Sequence, residues 1–255
     1  MSEDILEYIN LRHVFEIHEG KETQYNCPNC SEEYLFCDQG DLQFEETGES
    51  RALRYDDCWD EDWIEYSFNA VLKCKKCFEI VFCVGVGSFS RLSLYGSDED
   101  LAKLAEEDFI SRDFIPRYFY PPIKQFEIPS DCSDGVKQDI NSAFSLAYCD
   151  FSASGNKLRS ALEKLTNQLL PGSESNFHQK LDELKSIDLE ASEILMSIKW
   201  LGNEASHESS LKQYDLTYAL NALRYALSRL FDEDPKRIRG FSKMINAKKG
   251  SIVKT

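Results

Sequence analysis

Two Cys-x-x-Cys pairs, Cys27-Pro-Asn-Cys30 and Cys74-Lys-Lys-Cys77, are separated by 43 residues. No other feature constrains the fold of this chain as strongly. Two sulfurs three positions apart grip one ion across a tight turn, and two such turns complete a tetrahedron around zinc. A redox pair needs a single Cys-x-x-Cys opening a helix near a βαβ pattern, and neither pair has that setting. The expectation is a structural Zn2+ held by Cys27, Cys30, Cys74 and Cys77. Cys37, Cys58 and Cys83 remain open as replacements for one of the four.

The sequence between and after the pairs says what the ion would organise. Residues 41–62 are rich in Asp and Glu, with Trp59 and Trp63 beside them, and read as an acidic insertion forming a solvated loop that packs in part. Ile64, Tyr66, Phe68 and Val71 alternate imperfectly toward Cys74. The run Phe78 to Val84 is β-branched and aromatic. Strand, knuckle and returning strand predict the hairpin of a zinc ribbon. Residues 98–110 predict a short helix. Pro121, Pro122 and Pro129 then interrupt regular structure.

After Pro129 every segment reads as helix: from Ser133 as N-cap to about 151, then about 153–170, 177–187, 190–201 and 214–231. Leu216, Leu220, Leu223, Leu227 and Leu230 form a stripe on the last, either a bundle core or an oligomer seam, with core burial the default. The predicted class is α+β: a zinc-ribbon β domain over 1–115 with the acidic insertion, a Pro-rich linker at 116–130, a helical bundle at 131–234 and a basic tail at 235–255.

Charge limits the partners. Residues 1–130 carry 12 Lys/Arg against 28 Asp/Glu, whereas residues 235–255 carry 7 Lys/Arg and no acid. The acidic body repels phosphate backbones at long range, so contact with nucleic acid is expected to be local rather than broad. The tail reads as a solvated, partly frayed end. No apolar run reaches the ~18–20 residues of a membrane span. The acidic start Met-Ser-Glu-Asp-Ile-Leu-Glu is not a signal or transit peptide. The nine cysteines are therefore expected as reduced thiols in the cytoplasm, four of them metallated.

A second constellation is Lys199-Trp200-Leu201-Gly202-Asn203-Glu204-Ala205-Ser206-His207. If helical, Asn203 and His207 share one face, and an amide and an imidazole so placed can act together on a substrate. The alternative is a capping Asn and an ordinary hydrogen-bonded His. His13 and His18, five apart, are read as an ordinary surface pair, with spare metal ligands as the alternative, and His178 as a surface residue at a helix start.

Taken in order, several motifs resemble a bacterial family of unknown function that couples a zinc ribbon to a HEPN-like helical bundle and often lies near restriction and phage-defence genes. They are the two knuckles, Tyr120-Pro121-Pro122 with Ile128-Pro129, Arg159-Ser160-Ala161-Leu162-Glu163, Gly202-Asn203-Glu204-Ala205-Ser206-His207, and the periodic helix from Asp215. The resemblance covers about residues 25–232. It implies a HEPN-like bundle, a homodimer or higher homo-oligomer, and a protein partner in a defence complex. Active HEPN nucleases resemble one another in an Arg, a polar residue and a His, paired across a dimer to cleave RNA without metal. Here Asn203 and His207 match, and Gly202 stands at the arginine position. Lys199, one turn earlier, and Arg159, from a neighbouring helix, are the candidate cations, although an ion pair with Glu163 competes for Arg159. The expected role is a non-catalytic or regulatory interaction component. The alternative is a metal-independent dimeric ribonuclease using Asn203 and His207.

Overall fold

The structure, a computed structural model, describes residues 16–91, 110–207, 211–231, 242–247 and 249, with the side chains of 110 and 204–207 outside the description. The chain divides into two compact units, one reaching Lys124 and one beginning at Gln125. The class is α+β.

The first unit is a curled five-stranded antiparallel sheet in sequential order: β1 (Lys21–Asn26), β2 (Tyr34–Glu46), β3 (Glu65–Cys74), β4 (Ile80–Arg91) and β5 (Ile110–Tyr120). Period-two patterning builds its inner face. Phe68, Ala70, Leu72 and Cys74 of β3 are buried, as are Val81, Cys83 and Phe89 of β4. Phe44, Phe68 and Phe114 cluster with ring centroids 5.0 to 5.3 Å apart, and Tyr25 of β1 meets Phe119 of β5 at 4.8 Å. The curl thus brings the two edge strands into contact.

Gly85 and Gly87 make the interior possible. A Cβ on Gly85 would overlap the Ile115 carbonyl oxygen and lie 2.8 Å from Pro116 Cα; one on Gly87 would lie 2.8 Å from the Phe114 ring. Gly85-Val86-Gly87 is therefore a packing device under large rings.

Two expectations are corrected here. The acidic insertion is largely regular structure, because β2 runs to Glu46 and pairs along β3. It continues as α1 (Gly48–Leu53), capped by Thr47, and a 3-10 turn at Glu61–Trp63. Acidic side chains occupy its solvent face while Leu42 stays buried. The Pro-rich linker expected at 116–130 is instead divided. Residues up to Tyr120 complete β5, where Pro116 is tolerated on an edge strand opposite a register shift. Phe126 and Ile128 pack against the helical core. Of the helix expected at 98–110, residues 98–109 lie outside the described residues, and Ile110 begins β5.

The second unit comprises α2 (Asp134–Leu146), α3 (Phe151–Leu169), α4 (Phe177–Glu183), α5 (Leu189–His207) and α6 (Gln213–Phe231). Its core takes Val136, Ile140 and Phe144 from α2 and Leu158, Leu162 and Leu165 from α3. The full leucine stripe of α6 is buried there at 6% exposure or less, so it forms core. Ser133 precedes α2 without a side-chain cap bond, and Gln168 accepts its backbone N–H instead. Two buried carboxylates tie the helices. Asp139 accepts from Lys164 and Ser160, both at 2.6 Å. Asp188 takes a bidentate grip from Arg229 at 2.8 and 2.9 Å and also caps α5. Residues 242–247 are helical with exposed side chains. Among the described residues no helix is long and apolar enough to cross a membrane.

Candidate functional site

An antiparallel meander places alternate turns on the same end of the sheet. The β1–β2 turn holds Cys27 and Cys30, and the β3–β4 turn holds Cys74 and Cys77. Strand pairing of Leu35 with Cys74 fixes the offset between them. All four Sγ atoms lie within 4.8 Å of one another. Cys27 to Cys77 is 3.5 Å and Cys30 to Cys74 is 3.7 Å. A tetrahedron with metal–sulfur bonds of ~2.3 Å has sulfur–sulfur edges of about 3.8 Å, so the donor set suits a zinc-sized ion.

The two knuckles repeat one backbone design. The N–H of Cys27 donates to Glu33 and that of Cys74 to Glu79, at 2.8 and 2.9 Å. Ser31 N–H returns to the Cys27 carbonyl and Phe78 N–H to the Cys74 carbonyl, both at 3.0 Å. The residue after each second cysteine is left-handed, Ser31 at φ 57° and Phe78 at φ 62°. Neither is glycine, which is why the sequence does not announce this turn. Lys76 and Glu32 pair across the knuckles.

Without an ion the thiols are poorly matched. Burial pushes Cys27 up to about 12, whereas a backbone hydrogen bond involving Glu79 brings Cys77 down to about 7. A bound cation favours thiolate at all four. Cys37 and Cys83 are buried in the sheet interior, and burial raises both. Cys58 is exposed. None of the three belongs to the cluster. His18 sits beside Glu16 at 3.5 Å and is not a member either, and His13 lies outside the described residues.

In the helical unit, α5 continues unbroken through Gly202 to His207, so Asn203 is within the helix rather than a cap. Asn203 and His207 stand one turn apart on it; the side chain of His207 lies outside the description. A Cβ on Gly202 would lie 2.8 Å from Arg159 Cβ and 3.3 Å from its Cδ. The stem of Arg159, from α3, therefore crosses α5 at the bare Gly202 position. The competing pair with Glu163 is not formed among the described residues; Arg159 Nε is buried without a hydrogen-bond partner. Lys199, 8% exposed, reaches His178 of α4, with Nζ 3.1 Å from Nδ1. His178 is exposed at the start of α4, as the sequence leads one to expect, and the approach of α4 to α5 adds the Lys199 contact.

Residues 15–119 match a model described as Domain of unknown function (DUF8608), and residues 141–248 match one described as Domain of unknown function (DUF4145). No curated protein and no solved structure matches the chain.

Proposed function

We propose that the protein is a non-catalytic interaction component whose sheet unit is a zinc-organised docking platform. The carrying observation is the outward face of β4 and β5. Phe82, Val84 and Val86 are 44 to 56% exposed, and Tyr118 and Tyr120 are 58 and 76% exposed. Phe82 pairs with Tyr120 and Val84 with Tyr118, so the residues form one continuous band. It runs from the second knuckle, where Phe78 is 81% exposed. Beside it an open groove of about 960 Å³ adds Gln43, Glu45 and Asn69. Contiguous exposed apolar surface with a polar rim is the signature of a protein interface. The acidic surroundings favour a partner with an apolar patch and a basic rim.

In this reading zinc held by the four clustered cysteines makes the ribbon, and the helical unit is HEPN-like and oligomerises. The motif order noted above supports a bacterial anti-phage or restriction-type setting in the cytoplasm. The test is affinity capture with wild type, Val84→Glu and Cys74→Ser. Partner capture lost in both variants supports the platform, and capture that survives both ends it.

A metal-independent ribonuclease is the second reading. It is favoured by the Arg159 stem crossing Gly202 one residue before Asn203, with His207 a turn beyond. RNA cleavage abolished by His207→Ala supports it; equal background cleavage by wild type and variant removes it.

A further inference from the structure

The four clustered sulfurs differ in reach. Cys27 and Cys74, the first cysteine of each knuckle, are 1% exposed, whereas Cys30 and Cys77, the second of each, are partly open. Cys30 lies between exposed Asn29 and Ser31, and Cys77 between exposed Lys76 and Phe78. Close sulfur contacts run across the knuckles, Cys77 to Cys27 at 3.5 Å and Cys30 to Cys74 at 3.7 Å. Each contact therefore joins one reachable sulfur to one shielded sulfur of the opposite turn. Cys37, Cys58 and Cys83 stand outside the cluster, so a sulfur that reacts there meets a cysteine of the cluster first.

We propose that the cluster is a peroxide-sensitive modification site that exchanges its ion for two disulfides, Cys27–Cys77 and Cys30–Cys74. The inference rests on zinc being the ion the four cysteines hold. Peroxide oxidises the reachable thiolate of Cys30 or Cys77 to a sulfenic acid; its O–O bond breaks and hydroxide leaves. The facing thiolate of the other knuckle then attacks that sulfur, the S–S bond forms and a second hydroxide leaves. With the other contact oxidised in the same way, four thiolates become two disulfides, and two peroxides take up four protons to give four waters. Without thiolates the site no longer holds Zn2+, which leaves. Closing the 3.5 Å contact to an S–S bond of ~2.05 Å needs a movement of about 1.5 Å, shared by two side chains. Pairing across the knuckles ties the same two turns that the ion ties. The β1–β2 and β3–β4 turns thus stay together without metal, and the sheet face beside Phe78 persists. A chelator frees the turns, whereas peroxide locks them.

The test treats the full-length protein with hydrogen peroxide after its zinc content has been measured. Cys58→Ser removes an exposed thiol outside the cluster and keeps cross-linking between chains out of the readout. Peroxide is expected to release the whole zinc content to a zinc-sensitive dye. Mass-spectrometric mapping without reduction is expected to find Cys27 joined to Cys77 and Cys30 to Cys74. Near-UV circular dichroism is expected to survive peroxide and to be lost on chelation alone. Dithiothreitol with added Zn2+ is expected to restore the reduced, loaded protein. The proposal is overturned if peroxide leaves zinc in place, if mapping finds any other pairing of the four cysteines, or if oxidation abolishes the near-UV signal as chelation does. Untreated protein without zinc refutes the zinc reading itself, a failure told apart because it is read before peroxide is added.

Discussion

Phe78→Gly separates the stability of the metal knuckle from the function of the face it borders. Phe78 is left-handed at φ 62° and 81% exposed. The left-handed region costs an L-residue about 1–2 kcal/mol, a cost glycine does not carry. Against this, glycine adds roughly 0.5–1 kcal/mol of unfolded-chain entropy. So exposed a ring loses little packing when removed. The balance is a gain of about 0.5–1 kcal/mol, or roughly 2–5 °C in Tm. The assay is thermal unfolding of metal-loaded protein followed by near-UV circular dichroism, paired with partner capture. The expected variant is more stable and binds its partner less well. A Tm lowered by more than about 2 °C would refute the reasoning, because the Phe78 ring would then contribute packing that its exposure excludes.

Gly85→Ala forces a Cβ into the Ile115 carbonyl oxygen and Pro116; it is expected to cost about 3 kcal/mol or more in urea unfolding, whereas Gly48→Ala, with open space around it, should stay within about 0.5 kcal/mol. Burial works to raise Asp139, but the Lys164 and Ser160 bonds outweigh it and hold its pKa below the usual carboxylate range. A depressed pKa stabilises the fold above the unfolded value and is lost as pH falls through the folded one. Asp139→Asn should therefore cost about 1–3 kcal/mol at pH 7, with the difference from wild type shrinking below about pH 4; a difference of equal size at pH 3 contradicts this. Elemental analysis should find one zinc per chain, and a strong chelator should abolish the near-UV signal of the Tyr25–Phe119 packing while the helical far-UV signal persists. Loss of no signal on complete metal removal would show that the ion is not structural.

The fold's two halves were legible because their signals are local. A Cys-x-x-Cys turn presents two sulfurs whatever surrounds it, and the α6 leucines repeat at helical spacing in the chain itself. The path of β2 was less legible. Its solvent face carries Asp41 and Glu45, so composition suggested a loop, while Leu42 is buried and Phe44 joins the ring cluster with Phe114. The left-handed knuckle residues were hidden because Ser31 and Phe78 occupy positions where glycine would have announced the turn.

Residue identity and spacing thus determined which groups could ligate a metal and which helices had to bury a face. Only the tertiary structure decided that four sulfurs separated by 43 residues meet, since the meander order and the Leu35–Cys74 register set that distance. The same holds for Arg159 crossing Gly202 and for Lys199 reaching His178. Such contacts join helices far apart in the chain, and the packing of their cores, not any local pattern, chooses which side chains face one another.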